Sequence, residues 1–215
     1  ALPISISSGT SSAGSSGEIK LQTGQSLDGA GGSIQLSVGV SNAGLGGNVV
    51  LAAGDVVSAT GGSVLLHAGA STETSSGHLD VRTLNAGIAG SSGAISLTTG
   101  TSSDGASGSI YLTTGEATGG KAGSLIINIG SSGSGSGGDA SLTAGHSDGA
   151  TGGALTIQSG YGVATSSGAV SLSTANAGAQ GVSGAISIMS GTTSAGSSGE
   201  VRIETGNSAG GNGGN

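Results

Sequence analysis

A glycine followed by two alternating aliphatic residues returns at a nearly constant interval along this chain, and that recurrence limits the folds open to it. The phrase Gly93-Ala94-Ile95-Ser96-Leu97-Thr98-Thr99-Gly100 shows the form. It recurs as Gly17-Glu18-Ile19-Lys20-Leu21-Gln22-Thr23-Gly24, as Gly108-Ser109-Ile110-Tyr111-Leu112-Thr113-Thr114-Gly115 and as Gly199-Glu200-Val201-Arg202-Ile203-Glu204-Thr205-Gly206. Aliphatic residues at the third and fifth positions, with Ser, Thr or charged residues between them, have the period-2 pattern of a strand with one buried face. The opening glycines fall at 17, 32, 47, 62, 77, 93, 108, 123, 138, 153, 168, 184 and 199. The interval is 15 residues, except for the steps from Gly77 to Gly93 and from Gly168 to Gly184, which are 16. Ala140 is the one third-position residue that departs from the aliphatic rule, and Ile4 and Ile6 belong to a further repeat without its opening glycine.

A longer period lies over the short one. Gly9-Thr10-Ser11-Ser12-Ala13-Gly14 returns as Gly100-Thr101-Ser102-Ser103-Asp104-Gly105 and again as Gly191-Thr192-Thr193-Ser194-Ala195-Gly196, each step being 91 residues. Asn85-Ala86-Gly87 and Asn176-Ala177-Gly178 mark the longer repeat in each cycle. Six short repeats therefore make one super-repeat, and residues 1–215 read as a single continuous array: super-repeats 1–91 and 92–182, with a partial one at 183–215. Starting and stopping inside a super-repeat is the pattern expected of a piece of a longer array.

One repeat cannot bury two aliphatics alone, whereas stacked repeats can. The expected fold class is therefore all-β: a two-walled parallel β-solenoid of about 14 coils of 15–16 residues. Each coil would supply one strand, a glycine corner, a thin return such as Thr101-Ser102-Ser103, and a second corner near Gly105 or Ser107. At about 4.8 Å per coil the stack would form a rod of about 65–70 Å. Its inner Ile and Leu columns would contribute roughly 1.5–3 kcal/mol per side chain. The glycines would give positive φ at corners and close approach of the two walls. A meander would need apolar residues in the return segments, and a polyglycine-type bundle would need Gly at every third position. Neither pattern is present.

Composition sharpens this reading. With 49 glycines, 1% aromatic and 7% charged residues, the chain resembles low-complexity sequence. The regular placement of Ile, Leu and Val, a net charge of only −7 and a mean hydropathy of +0.20 argue instead for ordered repetition. Four Lys and Arg residues cannot neutralise a run of phosphates, so nucleic acid is not an expected partner. No apolar run approaches the roughly 20 residues that span a bilayer. The absence of Cys excludes a disulfide framework and thiolate metal sites.

The outward positions, fourth and sixth in each repeat, are where a binding face would be written. They are mixed: Lys20/Gln22, Val50/Ala52, Leu65/His67, Asp80/Arg82, Ser96/Thr98, Tyr111/Thr113, Ile126/Asn128. Val50 and Leu65 occupy successive repeats, as do Tyr111 and Ile126, and these four are the candidate lateral-contact residues between rods. Glu18 with Lys20, Asp80 with Arg82, and Arg202 with Glu200 and Glu204 read as surface charge pairs of little energetic weight. His67, His78 and His146 stand in different repeats without a recurring carboxylate, so neither a metal site nor a catalytic base is expected. Asp28-Gly29, Asp104-Gly105 and Asp148-Gly149 are turn dipeptides. The period of 15 departs from the nine-residue repeat of calcium-binding β-rolls. Gly119-Gly120-Lys121 lacks the remainder of a phosphate loop. No enzyme activity and no cofactor are expected.

The phrases Ser-Gly-Ala-Ile-Ser-Leu-Thr-Thr-Gly-Thr-Ser-Ser (92–103) and Ser-Thr-Ala-Asn-Ala-Gly (173–178) resemble the Gly/Ser-rich tandem arrays of large secreted or cell-surface proteins of diatoms and other stramenopile algae. The resemblance covers nearly the whole chain. It implies an extracellular or cell-surface location and a structural or adhesive role, and it carries no catalytic residues. The expected function is thus an extracellular fibre element that self-associates by stacking and lateral packing, since open coil ends present unpaired edges. The alternative is an ice- or carbohydrate-surface binding module using the Ser/Thr face. The mixed fourth and sixth positions interrupt the flat Thr-x-Thr ladder that ice binding requires.

Overall fold

The computed structural model describes residues 2–214. Among them there is no α-helix and no β-strand; unpaired backbone alternates with short bends. The chain divides into two parts, Ala1–Tyr111 and Leu112–Asn215. In the first part bends fall at 12–14, 27–29, 42–44, 57–59, 72–74 and 103–105, with a turn at 88–89. In the second they fall at 118–120, 133–135, 148–150, 163–165, 194–196 and 209–211, with a turn at 179–180. The conformational period thus follows the sequence period, one bend or turn per repeat.

The all-β solenoid is not what these residues form. Its inner columns would have buried Ile95 and Ile110, which are 55% and 53% exposed. Not one described residue is buried, apolar or polar. The chain leaves 20980 Å² accessible at a mass of 19.4 kDa. A globule of that mass exposes about 8,500 Å² and its extended chain about 28,000 Å². Inner and outer positions differ only in degree: third-position Ile95, Ile110 and Ile186 are 55%, 53% and 50% exposed, and fourth-position Leu65, Ile126 and Tyr111 are 69%, 74% and 84% exposed.

The reason lies in where each repeat returns. In a stacked coil the opening glycine of one repeat would lie over the opening glycine of the repeat before. Here it comes back to the seventh residue of the preceding repeat. A first side-chain carbon on Gly32 would lie 3.3 Å from Thr23 Cβ and Cγ2, and one on Gly108 would lie 3.4 Å from Thr99 Cβ. In the longer repeat the same approach spans one residue more, with Gly93 at 3.3 Å from Thr83 Cγ2. The approach is closest where the seventh residue is bulky: a Cβ on Gly47 would lie 2.7 Å from Val38 Cγ1, and one on Gly138 would lie 3.0 Å from Ile129 Cγ2. The few residues that are even partly covered include Ser8, Thr23, Ala53 and Ser159, all at the seventh position. The chain therefore closes on itself locally, and no ladder joins one strand phrase to the next.

Local closure is sealed by hydrogen bonds in only some repeats. The N–H groups of Gly62, Gly77, Gly153 and Gly168 donate to the carbonyls of Gly54, Gly69, Gly145 and Gly160 at 2.9–3.0 Å. The two longer repeats carry a different device, a four-residue turn in which Gly90 donates to Gly87 at 3.3 Å and Gly181 to Gly178 at 3.2 Å. Among the described residues positive φ is confined to Gly14, Gly44 and Gly105, each the last residue of a bend. Steric proximity favours glycine at openings such as Gly47, Gly62 and Gly138, where a Cβ would fall at 2.7, 3.1 and 3.0 Å from a neighbour, while at Gly17, Gly123 and Gly199 it would make ordinary contact at 3.5–3.8 Å.

Two cysteine pairs separate these geometries in a chain that has no cysteine of its own. The 3.4 Å spacing at Thr99 and Gly108 lies at the short edge of the Cβ separation of a disulfide, about 3.5–4.5 Å, so the double variant T99C/G108C is expected to oxidise to an intramolecular bridge. The variant I95C/I110C, which stacked coils would bring together, is expected to stay reduced under the same mild oxidant. Thiol titration after oxidation of the monomer reads both.

Candidate functional site

The four lateral-contact candidates all lie on the surface. Val50, Leu65 and Tyr111 belong to the first part of the chain and Ile126 to the second, and each is well exposed. They do not stand out as patches, because the aliphatics of the third and fifth positions beside them are exposed as well. The apolar surface on offer is therefore wider than the fourth-position column and includes Ile19/Leu21, Ile95/Leu97 and their equivalents.

Between the aliphatic phrases stand hydroxyl-held bends, which the reading of strand phrases did not single out. Their key residue occupies the tenth position of the repeat. The hydroxyl oxygen of Ser132 accepts the N–H of Gly135 at 2.9 Å. Ser71 accepts from Thr74 at 2.9 Å, Ser147 from Ala150 at 3.0 Å, Thr193 from Gly196 at 3.1 Å and Ser208 from Gly211 at 2.9 Å. At Ser11 and Ser41 the hydroxyl instead donates to the carbonyls of Ala13 and Ala43, at 3.0 and 2.8 Å. A hydroxyl that reaches its own backbone two or three residues on is the mechanism by which Ser and Thr favour turns. Ser or Thr stands at the tenth position in most repeats, but Ser/Thr-x-x-Gly does not mark the bonded bends: Ser71 and Ser147 bond Thr74 and Ala150, whereas Ser26 and Ser102 form no such bond to Gly29 and Gly105. The second corner lies at 103–105, so Gly105 is inside the bend and Ser107 beyond it.

The charged residues form isolated pairs. Arg82 Nε lies 3.4 Å from Asp80 Oδ2, and Arg202 contacts Glu204. Glu18 and Lys20 make no such pair. His146, expected to stand alone, meets Asp148 two residues on, with Nε2 2.9 Å from Oδ1. All three pairs are exposed, where solvent screening leaves ion pairs little net stability. Asp28, Asp104 and Asp148 each sit in a bend.

The described residues enclose no pocket and bring together no three His, Asp or Glu side chains that could hold a metal. No helix among them is long and apolar enough to cross a membrane. The described surface offers contact chemistry: methyl and isobutyl groups alternating with hydroxyls at a fixed interval. No family model, curated protein or solved structure matches this chain.

Removing the Ser132 hydroxyl tests whether the tenth position holds its bend. The substitution Ser132→Ala is expected to speed amide exchange at Gly135 by roughly tenfold, the loss of one modest hydrogen bond. Ser132→Thr is expected to leave the rate near that of the parent chain. Exchange measured by NMR at neighbouring Gly130 serves as the internal control.

Proposed function

We propose that this chain is an extracellular structural or adhesive fibre element that works by lateral association with further copies of itself. One observation carries the reading: every repeat presents its aliphatic side chains to solvent, and no described residue is buried. A lone monomer with that much apolar surface is costly in water, and a partner that covers it gains roughly 25 cal/mol for each Å² removed. The repeat offers the same face many times, so a partner with the same repeat meets it at every step. The resemblance to Gly/Ser-rich arrays of algal cell surfaces is consistent with a place outside the cell.

Polysaccharide is the other partner this reading admits. The hydroxyls of Thr98 and Thr113 stand exposed beside the aliphatics, a mixture that suits the hydroxylated and apolar faces of a sugar chain. Self-association comes first because the apolar residues outnumber any charged or aromatic groups that grip sugars; the chain has two Tyr and no Trp or Phe.

A concentration series by sedimentation velocity and electron microscopy tests the proposal. The full chain is expected to pass from monomer to elongated assemblies as concentration rises. Val50→Ser with Leu65→Ser is expected to raise the midpoint about tenfold or more, since two exposed aliphatics contribute roughly 1.5–3 kcal/mol each when buried. A chain that stays monomeric at every attainable concentration would rule out the fibre role. Retention on a polysaccharide matrix by such a monomer would transfer the role to surface binding.

A further inference from the structure

The tripeptide Asp-Gly-Ala occurs at 28–30, 104–106 and 148–150, each time with its aspartate in a bend. Two of these sites share nearly all of their surroundings: Ser102-Ser103-Asp104-Gly105-Ala106 against His146-Ser147-Asp148-Gly149-Ala150. Asp28 has Ser26 two residues before it, as Asp104 has Ser102. Asp148 alone of the three has an imidazole at that place, and the fold brings the two groups together, with Nε2 2.9 Å from Oδ1.

An Asp-Gly bond contains the parts of a cyclisation. The glycine nitrogen can attack Cγ of the preceding carboxyl group and close a five-membered imide, and a glycine has no Cβ to hinder the approach. The obstacle is the leaving group, because a carboxylate oxygen departs only after it has taken up a proton. At Asp148 a proton donor is already in contact. Histidine is the side chain whose charge changes near neutral pH, and its protonated ring donates from both nitrogens. The nucleophile is unengaged as well: the Ser147 hydroxyl takes the N–H of Ala150 at 3.0 Å, while the N–H of Gly149 makes no hydrogen bond among the described residues. A first side-chain carbon on Gly149 would meet nothing within 4 Å, so nothing crowds the ring as it closes. No other described charged side chain lies within ion-pair distance of His146 or Asp148. Nor does a core hold the bend rigid against the change, since no described residue is buried.

We propose that Asp148-Gly149 is a self-modifying site, at which His146 acts as general acid and the aspartyl residue passes through a cyclic imide to isoaspartate. In the first step His146 Nε2–H protonates Asp148 Oδ1, the Gly149 nitrogen bonds to Asp148 Cγ, and the bond from Cγ to Oδ1 breaks. The water that leaves carries the carboxyl oxygen, the proton from His146 and the proton from the Gly149 amide, and the imidazole is left neutral. In the second step water adds to the imide. Breaking the bond from Cγ to the Gly149 nitrogen restores aspartate. Breaking the bond from the Asp148 backbone carbonyl carbon to that nitrogen gives isoaspartate, whose main chain runs through Cβ and Cγ. In either case the new carboxyl group returns its proton to the neutral imidazole. One water is lost and one regained, so solvent is the only co-reactant. The product carries one extra main-chain carbon in the bend at 148–150.

The chain supplies its own controls in Asp28 and Asp104. The full chain is incubated near neutral pH in water enriched in heavy oxygen, digested in ordinary water, and mapped by mass spectrometry with electron-transfer fragmentation, which distinguishes isoaspartate from aspartate. A well-positioned acid accelerates a reaction roughly 10²–10⁴-fold; this pair is open to competing water, so isoaspartate is expected to accumulate at residue 148 about threefold faster than at 104, or more. Each isoaspartate is expected to carry one heavy oxygen, and the imide to appear as a loss of one water. His146→Ser makes the five residues 146–150 identical to 102–106, and the rate at 148 is expected to fall to that at 104 while the rates at 28 and 104 stay unchanged. The His146 side chain is 84% exposed, so the substitution removes no packing. A parent rate at 148 equal to or below that at 104, or a faster rate that survives His146→Ser, overturns the assignment of His146. Isoaspartate without heavy oxygen overturns the imide route.

Discussion

The close approach of each opening glycine to the seventh residue of the repeat before it is the constraint on which the rest of the structure depends. It fixes where the chain turns, because the residues between the two must bend back within nine steps. The meeting point carries small side chains in most repeats: glycine on one side, and mostly Thr, Ser or Ala on the other. Val38 and Ile129 are the exceptions, and there the approach is tightest. Among the described residues no longer-range return that would lay one repeat over the next accompanies this local closure. The exposure of the aliphatics follows directly, since no second layer arrives to cover them.

A chain held by local closures has a particular energetic character. Each closure joins backbone to backbone or to a small side chain across a short loop, for which the entropic cost of closure is low. Hydroxyl-to-backbone bonds at Ser71, Ser132, Ser147, Thr193 and Ser208 hold the bends in the same local way. None of these bonds is buried, so water competes with each and the net gain per bond is modest. Missing is the cooperative term that a core supplies. Two aliphatics in fifteen residues are a small apolar yield for ordering a glycine-rich backbone, which loses more freedom on folding than any other. In the proposed assembly, association supplies the burial that the single chain lacks.

Surface chemistry follows the same logic. Isolated charges, hydroxyls at bends and aliphatics between them form a repeated face without a concave site. The four residues singled out as lateral contacts are more exposed than the third-position aliphatics beside them, but without a core those are exposed as well. His146 meets Asp148, two residues on at the start of the bend 148–150, a local pairing that does not recur along the repeats.

The sequence by itself determined the periods. The intervals of 15 and 16, the super-repeat of 91 and the glycine at each opening position all reappear in the spacing of bends, turns and closures, because bend formation is decided by residues three or four apart. The turn role of the Asp-Gly dipeptides was legible for the same reason, and the hydroxyl at the tenth position was equally local, though it went unread among so many Ser and Thr. The tertiary structure alone decided what the aliphatic alternation is for. Ile95, Ser96 and Leu97 carry the strand pattern in full, yet alternation states only which side chains share a face, not whether another segment arrives to cover it. That depends on where the chain returns after the bend, and here the return of Gly108 to Thr99, not to Gly93, leaves the face open.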